Sequence, residues 1–330
     1  MKMASLKAML VAGTMMATAM MSGAQPVQAQ DWPSQQITFV VALGPGGSAD
    51  RAMRLLAQRF QEELGVPVRV VNQEGGGGHV GQTYFMNMPT DGTVFLASSI
   101  HPYVSNAILD LDADYTLDDF AFINGQWTDK DLFAVYHELP YTTIDELMEA
   151  VRSDPGKIRV SVVPGSTGFI NTLQLLEAYD LEADDVNIVT YESGGAARTA
   201  AAGGQVDMTV LGADGTLPIA EYVRPLAVAS DTPLPDWDAP VLNEAIASTG
   251  KSITPLVGSM RGIAAHAEFR DNHPEAFAKM VATYESILAD PEFAQLLADQ
   301  QIGAEWLGPE RTTEIIKENF KILQQFQSHQ

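Results

Sequence analysis

The chain contains no cysteine, which removes disulfides, thiol nucleophiles, thiolate metal sites and a lipid-modified cysteine from consideration. Basic residues are scarce: 19 Lys and Arg stand against 42 Asp and Glu, a formal net charge of −23. That balance argues against nucleic acid as a partner, because phosphate binding needs basic patches. Adaptation to a saline medium or a plainly solvated surface accounts for the acidity, and neither identifies a ligand. Enzyme signatures are missing as well. There is no Gly-x-Ser-x-Gly nucleophile elbow and no His-Glu-x-x-His, and the six histidines are scattered. No metal, cofactor or turnover is expected.

Long apolar runs are also lacking, with one exception. Residues 8–21 form an uncharged stretch of about 14 residues, short for a bilayer span. With Lys2 and Lys7 ahead of it and Val27-Gln28-Ala29 behind, it reads as a secretory signal peptide over residues 1–29, cleaved after Ala29, with Ala24 as the lesser option. The protein is therefore expected to be exported and periplasmic. Roughly 300 residues remain, enough for two α/β domains.

Residues 37–43 are an apolar, β-branched run suited to a buried strand, and Gly44-Pro45-Gly46-Gly47 cannot continue it. Ser48 or Asp50 then caps a helix whose apolar positions Met53, Leu55, Leu56 and Phe60 share one broad face. A strand broken by glycines into a helix start aims unpaired backbone N–H groups at one spot, which favours an anion. An ordinary βα turn has the same appearance.

The device recurs along the chain. Residues 66–72 read as a strand, and 75–81 open a helix through Tyr84, Phe85 and Met88. Residues 93–98 read as a third strand, 126–131 as a hydrophilic link and 132–136 as a crossing strand. Beyond it, 143–152 is helical, with Thr143 and Glu146 in capping-box spacing. Strands are expected at 158–163, 186–191, 206–211 and 225–229, and helices at 170–179 and 196–202. Residues 253–264 read as extended, and helices near 273–288, 291–300 and 309–327 follow. This alternation predicts α/β layers. Glycine-rich loops at strand ends in both halves describe a cleft with a ligand between two lobes.

The quoted glycine loops, together with Trp32-Pro33-Ser34, Asp91-Gly92, Leu117-Asp118-Asp119-Phe120, Gly203-Gly204-Gln205-Val206-Asp207 and Arg224-Pro225-Leu226-Ala227-Val228, resemble in order the Bug-type extracytoplasmic solute receptors of tripartite tricarboxylate transporters. The resemblance implies an α/β, two-lobed type II periplasmic-binding fold with crossing strands. Lobe 1 is then expected from 30–131 plus 251–330, and lobe 2 from 132–250. It further implies capture of a small organic carboxylate for transporter subunits in the membrane, by a monomer. The chain departs from the family pattern at Ala49, where threonine is usual, at Glu192, where a lysine is usual, and at Leu211, which stands where an aspartate is often found.

The candidate ligand residues begin with the loop Pro45, Gly46, Gly47, Ser48, Ala49 and Asp50, which in the family holds a carboxylate through backbone and bridging water. Within it Asp50 is expected to cap the helix. Gly78 and His79 form a second donor loop, and Ser99 and His101 follow the third strand. Ser166, Thr167 and Gly168 offer hydroxyls at a second-lobe helix start, followed by Tyr191 and Ser193. Arg198 either reaches the cleft or pairs with a surface acid. Neutral donors from each lobe, rather than a bare cation, are expected to carry the binding. A sensory receptor and a periplasmic hydrolase are the alternative readings of the same chain.

Overall fold

The computed structural model describes residues 32–253, 256 and 258–327. The stretch read as a signal peptide, 1–29, lies outside the described residues, as do Thr254, Pro255 and Val257 of the stretch expected to be extended. Pro33–Gln330 form one unit.

Two five-stranded mixed sheets organise that unit. The first contains β1 (Ile37–Val41), β2 (Val68–Asn72), β3 (Val94–His101), β4 (Phe120–Thr128) and β10 (Met260–His266), in the order β2-β1-β3-β10-β4. The second contains β5 (Asp131–Tyr136), β6 (Arg159–Val162), β7 (Asn187–Thr190), β8 (Met208–Gly212) and β9 (Val223–Ala229), in the order β7-β6-β8-β5-β9. In each sheet three neighbouring strands are parallel, and a fourth, β10 or β5, runs antiparallel between them and an edge strand. Only Asp129 and Lys130 separate β4 of one sheet from β5 of the other, and the chain returns through residues 230–259 to β10.

Helices cover both sheets: α1 (Ser48–Leu64), α2 (His79–Met86), α3 (Tyr103–Asp110) and the C-terminal α9 (Ala267–Asn272), α10 (Pro274–Ala289), α11 (Pro291–Asp299) and α12 (Gly308–Gln327) with the first; α4 (Ile144–Ser153), α5 (Thr167–Ala178), α6 (Gly194–Ala202), α7 (Ala213–Thr216) and α8 (Leu242–Ala245) with the second. Local chemistry sets the starts. Thr143 caps α4 by accepting from the Glu146 N–H at 3.2 Å, and Glu146 accepts from the N–H of Thr142, the residue before the cap, at 2.7 Å. Under the first sheet, Phe39, Phe60 and Tyr284 meet edge to face at 5.4 Å, with Phe95 at 6.2 Å from Phe39. Truncating one such ring costs about 3–5 kcal/mol. Under the second, Phe133, Leu147, Val160 and Leu175 are wholly buried.

Two expectations are corrected here. The hydrophilic link expected at 126–131 is strand as far as Thr128, because β4 runs from Phe120. Regular pairing in the extended stretch begins only at Met260.

Candidate functional site

The parallel strands of both sheets end at one cleft. It encloses about 450 Å³ of empty space, its open mouth included. Gly47, Ser48, Ala49, Ser99 and Tyr103 line it from the first sheet's side. Ser166, Gly168, Ser193, Arg198 and Leu211 line it from the second. Asp131, at the head of β5, and Ser259 and Arg261, at the entry to β10, complete the wall where the chain passes between sheets.

Arg261 is held from every side. Its Nε and Nη2 donate to Ser48 Oγ at 3.1 and 2.9 Å, its Nη1 donates to the Ser259 carbonyl at 2.8 Å, and its guanidinium lies over the Trp127 ring at 4.4 Å. Asp129 completes the shell, 3.4 Å from Nη2. Such a cation is fixed in place rather than reaching for partners. Ser48 therefore serves Arg261 and does not cap the helix, whose N-cap position is Gly47, with no side-chain cap hydrogen bond. Asp50 accepts from the Gly46 N–H at 3.0 Å, as well as from Arg54 and Asn72. Burial would raise its carboxyl, but those hydrogen bonds hold it below the usual carboxylate range.

Arg198 is the second buried guanidinium. It sits on the second turn of α6, whose start Ser193 caps by accepting from the Ala196 N–H at 3.3 Å. Its Nε donates to Thr216 Oγ1 at 3.2 Å and its Nη2 to the Gly212 carbonyl at 3.4 Å, both neutral acceptors. Among the described residues no carboxylate lies within ion-pair distance of it. Gly215 and Gly194 make its room: a Cβ on either would stand 2.4 or 3.0 Å from the guanidinium nitrogens. Burial pulls its pKa down to about 10, which leaves it charged at neutral pH. The expectation of neutral donors alone is corrected: two buried cations face this cleft.

Two buried acids lie beside them. Asp129 accepts from the Asp214 N–H at 3.1 Å, and burial pushes its pKa up to about 6 against the pull of Arg261. Asp131 accepts from Asn171 Nδ2 at 2.8 Å, and its carboxyl is raised by burial against the hydrogen bonds of Thr167 and Asn171. The Tyr103 hydroxyl, buried among these groups, is pushed up to about 12. Because Asp129 titrates higher folded than its ordinary 3.8, the folded chain keeps that proton between about pH 4 and 6 while the unfolded chain loses it. The stability owed to this group is full below pH 4 and falls as pH rises through about 6. Asp129→Asn is expected to remove that decline. In urea unfolding between pH 4 and 7, wild-type minus variant stability should fall with rising pH by on the order of 3 kcal/mol; a flat difference contradicts the assignment.

The structure thus brings Gly47, Ser48, Ala49, Ser99, Ser166, Gly168 and Ser193 to one cavity. Other candidates stand elsewhere. Pro45 and Gly46 are exposed at the rim, and Thr167 Oγ1 lies 3.3 Å from Ser259 Oγ behind the wall. His101 is wholly buried outside the lining. His79 Nδ1 lies 3.1 Å from the Tyr115 hydroxyl, Gly78 packs close to Ala42 and Gln82, and Tyr191 packs on the core beside Leu132 and Trp237. Arg261, Asp131, Tyr103 and Ser259 are absent from the sequence-based set. For Arg261 a signal existed: a single arginine before the apolar run Gly262-Ile263-Ala264-Ala265 must be paired or functional once that run is a buried strand.

The glycine-rich loops themselves meet across the cleft. The Gly44 N–H donates to the Glu192 carbonyl at 3.1 Å, and Asn106 Nδ2 donates to the Gly165 carbonyl at 2.7 Å. A Cβ on Gly77, whose φ of +58° already favours glycine, would lie 2.7 Å from the Pro164 carbonyl oxygen. A Cβ on Gly195 would lie 2.8 Å from the Gly46 carbonyl oxygen. With the Gly44 and Gly46 N–H groups engaged within the protein, the first-turn amides of α1 beside Gly47, Ser48 and Ala49 are the part of that loop turned to the cavity.

Comparison with known proteins agrees with this architecture. The chain is 29% identical over 187 residues to Protein BugT of Bordetella pertussis, a match covering 56% of each chain. It thus spans just over half the length of the curated relatives it matches. Among solved structures, one from R. palustris with adipate superposes with a TM-score of 0.76 at 23% identity, covering 89% of this chain and 97% of that one. MatC of Rhodopseudomonas palustris with bound malate gives a TM-score of 0.76 at 20% identity, covering 89% and 99%. Periplasmic binding protein BugD gives 0.72 at 22% identity, covering 89% and 97%. These likenesses establish the two-lobed periplasmic-binding fold. Residues 52–325, most of the chain, match the family described as tripartite tricarboxylate transporter family receptor, so the chain belongs to that receptor family.

Proposed function

We propose that this protein is a periplasmic receptor that closes its two lobes over a small organic carboxylate and delivers it to a tripartite tricarboxylate-type membrane transporter. The observation that carries the reading is Arg198. It is a buried guanidinium on the cavity wall whose hydrogen-bond partners are neutral and which the acid Asp129 attracts only from beyond ion-pair distance, so a ligand carboxylate would be its direct counter-charge. A buried charge without a counter-charge is costly, and each charge-assisted hydrogen bond contributes about 1.5–3 kcal/mol.

Ser166 and Ser193 hydroxyls, the first-turn amides of α1 and the Tyr103 hydroxyl would take the remaining ligand oxygens. The lobes are proposed to divide at 131/132 and 250/251, with Asp129-Lys130 and the return segment before Met260 as the two crossings. The hydrogen bonds from Gly44 to Glu192 and from Asn106 to Gly165 are each worth about 0.5–1.5 kcal/mol net. Closure therefore depends on a ligand that touches both lobes at once. No helix among the described residues is long and apolar enough to cross a membrane, in keeping with a receptor that works beside a separate transporter. The acidic surface makes electrostatic capture of an anion weak at long range, since salt screens beyond about 8–10 Å. Selection would then be local, at Arg198.

Thermal unfolding and calorimetry against mono-, di- and tricarboxylates test the reading. Stabilisation by at least one acid with a Kd near micromolar, about −8 kcal/mol, is expected. Stabilisation by sugars or metal cations and by no acid would refute it.

A further inference from the structure

Three charged side chains, Arg198, Arg261 and Asp131, line the cavity, and a fourth, Asp129, is buried beside Arg261. Arg261 and Asp129 form an ion pair 3.4 Å apart, and Asp129 also attracts Arg198 from beyond ion-pair distance. That leaves Arg198 and Asp131, 8% and 3% exposed, both on the cavity wall. Among the described residues neither has an oppositely charged atom within ion-pair distance. Arg198 donates to Thr216 Oγ1 and the Gly212 carbonyl. Asp131 accepts from the Asn171 amide, with the Thr167 hydroxyl beside it. One wall therefore presents a guanidinium and a carboxyl group that are each hydrogen-bonded only by neutral groups.

We propose that the bound ligand is a zwitterion, an amino acid or a related amino carboxylate, whose carboxylate meets Arg198 and whose ammonium meets Asp131. The proposal rests on the receptor reading above and narrows it. A carboxylate has about four acceptor positions, and the neutral donors at Asp131 leave room for an ammonium. A plain carboxylic acid would complement Arg198 but leave Asp131 buried with no cation, and would add a net negative charge to a closed, poorly solvated space. An amino carboxylate adds no net charge and complements both groups, so its desolvation is matched by two ion pairs rather than one. Arg261 contributes a positive field at Asp131 but is itself bound to Asp129, Ser48 and Ser259.

Calorimetry on the wild-type protein with matched pairs tests this: L-alanine against propionate, L-aspartate against succinate, and 4-aminobutyrate against butyrate. The series also varies the distance between ammonium and carboxylate, which must match the Arg198-to-Asp131 span. At least one amino compound is expected to bind tenfold or more tightly than its deamino partner. The near-isosteric Asp131→Asn variant is expected to lose that preference, by a tenfold or greater loss for the amino compound and no loss for the plain acid. Equal binding of both members of each pair, or tighter binding of the plain acids, overturns the zwitterion while leaving the carboxylate receptor standing. If no compound of the panel and no other carboxylate binds, both readings fall together.

Discussion

Arg198→Met is expected to lower ligand affinity by at least tenfold, and as much as about 100-fold, while leaving the unliganded protein as stable as before or more so. The two halves of this expectation have opposite signs for one reason. In the ligand complex, the guanidinium supplies a charge-assisted bond worth about 1.5–3 kcal/mol, or ten- to more than a hundredfold. Without ligand it is a buried cation held only by the Thr216 hydroxyl and the Gly212 carbonyl. Replacing buried charge with a side chain of similar length and no charge is often neutral or stabilising. The Gly212 carbonyl keeps a donor in the variant, because Thr216 Oγ1 donates to it at 2.7 Å. Calorimetry and thermal unfolding of the same preparations check both halves. Loss of stability with unchanged affinity would make Arg198 a structural residue and remove the main support for the receptor reading.

Gly195→Val should weaken binding by more than about 100-fold through a different route, by keeping the lobes apart. Gly195 lies in the first turn of α6, where any residue is tolerated by the backbone. The obstacle is steric: a Cβ there would meet the Gly46 carbonyl oxygen at 2.8 Å and the Gly47 nitrogen at 3.2 Å. Those atoms are backbone of the facing loop and cannot swing aside as a side chain can. Opening the lobes relieves the clash, so the variant should fold normally and populate the open form. Gly195→Ala should fall between wild type and valine. Small-angle scattering should show wild type contracting when ligand is added and Gly195→Val unchanged. Wild-type affinity in the valine variant would mean that these loops do not meet in the ligand-bound state.

The strand-glycine-helix units were legible because glycine and proline at 44–47 cannot prolong a strand, and the helix that follows carries a clear apolar face. Met53, Leu56 and Phe60 are wholly buried there, with Leu55 at the margin. Strand β4 was not legible, for a physical reason. Asn124 and Gln126 interrupt its apolar pattern and look like a loop, yet both are wholly buried. Their amides are satisfied by segments 158 to 184 residues away. Asn124 accepts from the Leu307 and Gly308 N–H groups at 2.8 and 3.0 Å, and Gln126 donates to the Gly303 carbonyl and accepts from Tyr284. Local propensity cannot anticipate acceptors supplied by a distant chain segment.

The site divides along the same line. Strand-end hydroxyls such as Ser99, Ser166 and Ser193 were readable from their place after apolar runs. The glycine loops were read as anion nests, whereas Gly44, Gly77 and Gly195 also serve the approach of one lobe to the other. Asp129 and Asp131 were read as part of a polar link, although both are buried, Asp131 on the cavity wall and Asp129 beside Arg261. Whether Arg198 met the cleft or a surface acid depended on tertiary packing, and the space left by Gly194 and Gly215 settles its position.

The most direct test is the crystal structure of the protein grown with its tightest-binding carboxylate. Lobes in contact are expected, with a carboxylate oxygen about 2.7–3.2 Å from a guanidinium nitrogen of Arg198 and at least one hydroxyl of the facing lobe on the same molecule. A ligand seated outside the cleft, or one inside it that leaves Arg198 untouched, would contradict that expectation.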